Sequence, residues 1–291
     1  MMTSTIIKIA SAAAYFILAP VIGGFLEGFD RKISARMQGR KGPSVFQPFW
    51  DVRKLFNKQL LEVNKIQLML LGSYLFFIIL SGCLFFAGLD MLMVVFALST
   101  AAMFMILAAT CTHSPYASMG AMRELVQMMC CEPMEILAAV GLCLAKGSFN
   151  VYDIATSGAP AICSTFGFFI GLVFILTIKF RKSPFDISTS HHAHQEMVKG
   201  VTQEFVGAEY GLHCLAEWYE TVLMYGFVAL FFLWKSPVSF AVAIVACLVV
   251  YFLEILIDNS SARVKWQLMF KLAWGVTLVT AGLNLFILCL V

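Results

Sequence analysis

Long apolar runs separated by short polar ones govern this chain. Eight of them, near 6–26, 66–89, 91–112, 120–145, 160–180, 212–234, 237–257 and 266–290, approach or exceed the roughly 18 residues that a helix needs to cross a ~30 Å hydrocarbon layer. Lipid offers no hydrogen bonds to the backbone, so runs of this length predict helices, whose peptide groups are satisfied internally. The expected fold is therefore all-α, a single polytopic membrane domain over 1–291 with about eight transmembrane helices. The first run begins after Lys8 and has the outline of a secretory leader. Its apolar part runs about 18 residues from Ile9, and no small-residue cleavage site closes it before Glu27, so it is expected to remain as a span.

Two polar stretches interrupt this pattern. The first, 27–65, contains a Gly42-Pro43 turn. From Pro48 onward Phe49, Trp50, Val52, Leu55 and Phe56 fall close to helical spacing, with basic residues mostly on the other side. That spacing predicts an amphipathic helix lying in the membrane interface. The second stretch, 181–211, belongs to the most densely ionisable part of the chain. From Lys179 to Glu220 there are ten charged residues and four of the five histidines.

Composition agrees with the hydropathy pattern: 60% of residues are hydrophobic and 13% charged, which excludes a soluble globular domain. The formal charge of +3 reflects topology, since Lys and Arg gather in alternate loops. Positive residues stay cytoplasmic, so the loops after the first, third, fifth and seventh runs face inward, Lys8, Lys146 and Lys235 mark the outer ends, and both termini face outward. No nucleic-acid motif competes with this reading. Arg31, Lys32, Arg36, Arg40, Lys41 and Arg53 exceed what topology requires and are candidate docking residues for a cytoplasmic partner; the plainer reading is a positively charged loop anchored by aromatics.

Buried carboxylates carry the candidate chemistry, because a charge at the bilayer centre costs roughly 3 kcal/mol even on permissive scales. On the fourth run, at about 100° per residue, Glu132 lies about 80° and Glu135 about 20° from Glu124, so the three share one face. Pro133 frees a carbonyl beside them. Arg123 is expected to form a structural ion pair with Glu124 or with a neighbouring helix. Glu217 and Glu220 open the sixth run three residues apart, and Glu254 and Asp258 close the seventh four apart. Crowded carboxylates with little water share protons, the property a proton path requires.

His191, His192 and His194 have neither metalloprotease spacing nor nearby Cys ligands, so no metal is expected. Titration near the mouth of a proton path is their sharper reading and a hydrogen-bonded packing loop the plainer one. Asp186, in SPFD, looks like a turn or cap residue. The nine cysteines form no CxxC pair, and only Cys130 and Cys131 are adjacent, so the chain itself is expected to hold no iron–sulfur centre.

Four blocks resemble one known family: EGFDRKISARMQGRKGPSVFQPFWDVRKLF, GAMRELVQMMCCEP, SPFD through EMVKGVTQEFVG with AEWYE, and ARVKWQLMFKLAW. The family is the membrane subunit shared by respiratory complex I (in mitochondria, its subunit 1) and the energy-converting group 4 NiFe hydrogenases. Arg123, Gln127 and Glu132 keep the family's spacing, as do Glu204 and Glu217, thirteen residues apart. The resemblance implies that Glu132, Glu204 and Glu217 line a proton path, and the residue pattern extends the candidate path to Glu124, Glu135, Glu209, Glu220, Glu196, Asp186, His191, His192, His194, Glu254 and Asp258. Where complex I subunits carry an acidic run, this chain has STSHHAHQE, with Glu196 the one acid matched, and so looks like the Ech-type hydrogenase subunit.

The resemblance therefore implies a non-redox subunit of a ferredoxin-dependent, proton-reducing hydrogenase in the plasma membrane of a bacterium or archaeon, coupling electron transfer to H+ or Na+ translocation. NiFe and 4Fe-4S centres would reside in partners: hydrogenase large and small subunits and a ferredoxin-like iron–sulfur subunit on the cytoplasmic side. An antiporter-like membrane subunit and lipids would complete the surroundings. The alternatives are a quinone- or phenazine-binding subunit of a complex I-like dehydrogenase, or a passive membrane anchor.

Overall fold

The computed structural model describes residues 2–59, 64–182, 184–185, 188 and 197–290. They form α1 (Met2–Met37), α2 (Gln47–Phe56), α3 (Lys65–Phe86), α4 (Met91–Thr110), α5 (Pro115–Lys146), α6 (Val151–Ala155), α7 (Phe166–Lys179), α8 (Ala208–Leu230), α9 (Val238–Ser260), α10 (Trp266–Val276) and α11 (Leu283–Leu290), the last two joined by a π turn at Thr277–Gly282. No strand occurs among the described residues, only two isolated bridges.

Helix starts follow local chemistry. The side chains of Asn64 and Asp90 accept hydrogen bonds from the backbone N–H groups of Ile66 and Leu92 and so cap α3 and α4. Pro115 stands in the first turn of α5, where its missing donor is harmless, and Gly147 ends that helix at φ 75°.

Among the described residues, six helices are long and apolar enough to cross a membrane. The remaining two spans expected from sequence are shorter or more polar. The helix in the fifth run begins only at Phe166, after a 3-10 turn at Ala161–Cys163. α8 is 23 residues long but carries Glu209, Glu217 and Glu220. The first helix departs most, because it passes the end of its apolar run and continues to Met37. Its polar last turns find partners: Ser34 accepts from Asn259 of α9 at 3.1 Å, Asp30 pairs with Lys182, and Arg31 reaches Asp51 of α2 at 3.1 Å.

Contacts tie the connections at one end of the bundle: Asn64 donates to the Cys111 carbonyl, the N–H of Val198 to the Tyr116 hydroxyl, and the N–H of Val264 to the Pro184 carbonyl. α8 lies at the centre, against α1, α2, α3, α7 and α9, and α7 stands between α5 and α8. α2 lies across this packing as the amphipathic pattern predicts. Phe49 meets Phe25 of α1 and Trp218 of α8 at ring separations of 5.3 and 5.2 Å, while Trp50 is exposed.

Gly28 fixes the approach of α2, because a Cβ there would collide with the backbone of Val45. Gly28→Ala is expected to lift the turn before α2 from α1, costing about 1–3 kcal/mol as overpacking does. The check is a lower thermal midpoint and faster proteolysis between residues 38 and 46. Gly72→Ala, which meets only open space, serves as the control.

Candidate functional site: a basic turn between two carboxylate helices

α7 ends on Lys179-Phe180-Arg181-Lys182. The N–H of Arg181 bonds to the carbonyl of Ile178 and that of Lys182 to Thr177, both at 3.0 Å, the pairing of a Schellman turn. Such turns place their reversing residue in the left-handed region, where glycine is usual. Here Arg181 occupies it, at φ 54°. That conformation costs on the order of 1 kcal/mol and persists when contacts over-determine it.

The contacts do so, because the reversal brings three cations onto carboxylates of three helices. Lys179 Nζ lies 3.2 Å from Glu135 of α5 and 3.4 Å from Glu220 of α8. Arg181 donates to Glu124 of α5 at 3.1 Å and to Glu217 of α8 at 2.8 Å, with His213 Nε2 at 3.3 Å. Lys182 pairs with Asp30 of α1. α5 and α8 thus meet electrostatically through α7. The negative end of the α7 dipole favours cations at this position as well.

These groups are largely withdrawn from water. The side chains of Lys179 and Arg181 are each 14% exposed and that of Glu135 3%. Burial works against the charge of Arg181, but the carboxylates of Glu124 and Glu217 outweigh it and raise the affinity of the guanidinium for its proton above the ordinary value. Arg181 therefore stays a cation. Glu124 also accepts from Ser188, and Gln127 donates to the Ile178 carbonyl at 3.2 Å. His213 is buried among the rings of Tyr74, Phe205 and Tyr210.

Two cavities meet at this turn. A cavity of about 310 Å³ lies between α1, α8, α9 and the end of α7, its wall including Glu27, Asp30, Tyr251 and Asp258. A second, of about 30 Å³, lies between α3, α4 and α5, with Tyr74, Met105, Gln127 and Cys131 in its wall. The smaller has room for about one water. Lys179, Arg181 and Glu220 belong to both walls. They form the partition between a broad polar chamber and a narrow pocket against α5.

A profile of the NADH dehydrogenase family matches residues 9–289. The chain belongs to this family. Hydrogenase-4 component C of Escherichia coli (strain K12) is 30% identical, over 92% of this chain and 91% of that protein. Formate hydrogenlyase subunit 4 of the same organism is 24% identical, over 94% and 95%. Among solved structures, that of the membrane-bound sulfane sulfur reductase, an archaeal respiratory membrane complex, superposes with a TM-score of 0.83 over 97% of this chain and 99% of the matched one, at 22% identity, and shows the shared fold.

Within this family fold, the carboxylates expected from sequence divide. Glu124, Glu135, Glu217 and Glu220 are brought together by the basic turn. Glu132 is half-buried, joins no ion pair among the described residues, and its Oε1 lacks a hydrogen-bond partner. Glu204 is half-buried in the turn before α8 and joins no ion pair among the described residues. Glu209 is buried in the first turn of α8 and accepts from the N–H of Val206 at 3.3 Å. Asp258 reaches the large cavity, whereas Glu254 is fully buried beside it. Asp186, His191, His192, His194 and Glu196 lie outside the described residues.

Glu124 takes its cation from Arg181; Arg123 sits half-buried on a flank of α5 beside Met122 and Trp266. Of the candidate docking residues, Arg31 is engaged with Glu27 and Asp51, Arg40 with Gln38, and the Arg53 guanidinium stands 5.7 Å over the Trp50 ring. Lys32, Arg36 and Lys41 are exposed.

Sequence reasoning missed Glu27, Asp30 and the three cations as site residues. Their signal was present as a KFRK cluster closing an apolar run and as acids three apart at the polar end of α1. Glu27 accepts from the Trp218 indole at 2.5 Å.

Because breaking one member of a buried ion pair strands the other charge, Arg181→Met is expected to destabilise the subunit by about 3–5 kcal/mol. Thermal melting of the purified complex measures this. Adding Glu124→Gln is expected to restore a large part of the loss. Equal midpoints for Arg181→Met and the unaltered protein would rule out the pairing as a structural tie.

Proposed function

We propose that this chain is the non-redox membrane subunit of an energy-converting, Ech-type NiFe hydrogenase, anchoring the cytoplasmic arm and coupling its electron transfer to H+ or Na+ translocation. The observation that carries this reading is the partition at the end of α7, where buried carboxylates of α5 and α8 share two cations between a broad polar cavity and a narrow one. The similarity to hydrogenase-4 component C and formate hydrogenlyase subunit 4 supports a hydrogenase setting. NiFe and 4Fe-4S centres would belong to the partner subunits, with a ferredoxin-like protein as electron donor and an antiporter-like subunit as membrane neighbour.

In this reading the basic end of the bundle faces the cytoplasm and both termini face outward. The arm docks at that end, with Lys32, Arg36 and Lys41 free to meet an acidic surface. Ser188, between the basic turn and α8, donates to Glu124, so a shift of Ser188 changes the pairing of Glu124 with Arg181. Arg181 keeps its charge, so a change in pairing gives or removes the counter-cation of Glu124 and Glu217. Lys179 passes the same change to Glu135 and Glu220, from the large cavity toward the small one. Coupling is reciprocal, so blocked ion movement also slows the redox step. The lining of charged and tyrosine side chains is a poor match for a quinone ring, which favours apolar walls.

Lys179→Met and Glu135→Gln are each expected to lower ferredoxin-driven proton uptake in vesicles by about tenfold or more, the loss typical of removing a positioned proton-transfer group. Hydrogen production should fall in parallel. Unchanged uptake in both variants would point to a passive anchor. Glu132→Gln measured alongside decides whether the flank of α5 bearing Glu132 shares the path, since unchanged uptake would remove it.

A further inference from the structure

Glu254 is the most isolated acid among the described residues. It lies on the inward stripe of α9 with Val250, Tyr251 and Ile255, is fully buried, and neither carboxyl oxygen has a hydrogen-bond partner. The charged groups within its electrostatic reach are Lys182 from the turn after α7, Asp30 from α1 and Asp258 one turn further along α9, and Tyr225 faces it from α8. The Tyr251 hydroxyl is committed to the Leu26 carbonyl at 2.7 Å. Lys182 is the cation within reach of Glu254, and its ammonium is paired with Asp30. Asp30, Asp258 and Lys182 line the large cavity, and Glu254 stands behind them.

We infer that Glu254 is a proton-binding residue set beside the main path, occupied while Lys182 stands on Asp30 and emptied when Lys182 turns toward α9. An ionised carboxylate without donors, water or its own cation is strongly disfavoured, so Glu254 carries its proton in the arrangement observed. If Lys182 leaves Asp30, its ammonium compensates an ionised Glu254. The proton then departs from the Glu254 carboxyl to cavity water beside Asp258, and Lys182 remains protonated throughout. Lys182 adjoins Arg181, so the movement that alters the main partition also moves this counter-charge. The inference rests on the proton-coupling reading above and adds a store of protons on α9 that the chain of pairs between α5 and α8 does not contain.

Infrared difference spectroscopy of the intact purified complex, in H2O and D2O, tests it. A carboxylic-acid C=O band present at neutral pH should vanish in Glu254→Gln, which keeps the side chain's shape and neutrality. At the same pH the band should gain intensity in Lys182→Met, where the competing cation is gone, and lose intensity in Asp30→Asn, which releases Lys182. A spectrum unaltered by Glu254→Gln, or a Glu254 band indifferent to both Lys182→Met and Asp30→Asn, overturns the inference. The readout requires no turnover, so it stands apart from the uptake assay. A band that behaves as expected while Lys179→Met leaves uptake unchanged would defeat the coupling reading alone.

Discussion

Charge withdrawn from water has to be compensated, and in this chain the compensation converges on three cations at the end of one helix. Lys179 and Arg181 each bridge carboxylates of α5 and α8, and Lys182 meets Asp30 of α1. The left-handed turn at Arg181 allows this, because a helix continued in register would set Lys179 and Arg181 about 200° apart, on opposite faces. The bundle is held at that point by paired charges where elsewhere it is held by apolar contact. Buried ion pairs contribute little net stability once desolvation is counted. Their concentration here is better explained by function than by folding.

The same convergence explains the position of the cavities. Apolar helices alone would close over the space between α1, α8 and α9, but Glu27, Asp30, Arg31, Glu217 and Asp258 require water or one another and keep it open. On the other side of the partition Tyr74, Leu98 and Met105 leave room for little more than one water. A wet chamber and a nearly dry pocket thus share Lys179, Arg181 and Glu220, so the geometry of the α7 turn shapes both. α2, latched by the Arg31–Asp51 pair and by Phe49 against Trp218, touches the same helices and stands where an external partner can act on them.

Much of this was legible in the sequence, for physical reasons that can be named. Apolar runs long enough to span lipid can only be helices, so the spans were readable with little error in the middle of each run. The spacing of Phe49, Val52 and Phe56 announced α2, because an interfacial helix must separate its two faces. Helical arithmetic placed Glu124 and Glu135 on one stripe of α5, and both are found on the side that meets α7. It also grouped Glu132 with them, although that side chain joins no ion pair among the described residues.

Hydropathy could not show that α1 continues beyond its apolar run to Met37, since its last turns are stabilised by partners distant in sequence: Asp51, Lys182 and Asn259. Nor could it assign the ion pairs. Periodicity fixes which face a residue occupies along its own helix, whereas pairing depends on the rotation and height of neighbouring helices and on one unusual turn. The sequence by itself determined a helical membrane domain rich in interior carboxylates, with a family likeness to match. Only the tertiary structure decided which cation meets which acid and which acids stand apart, because Coulomb interactions act across space between residues that the chain separates by up to about 150 positions.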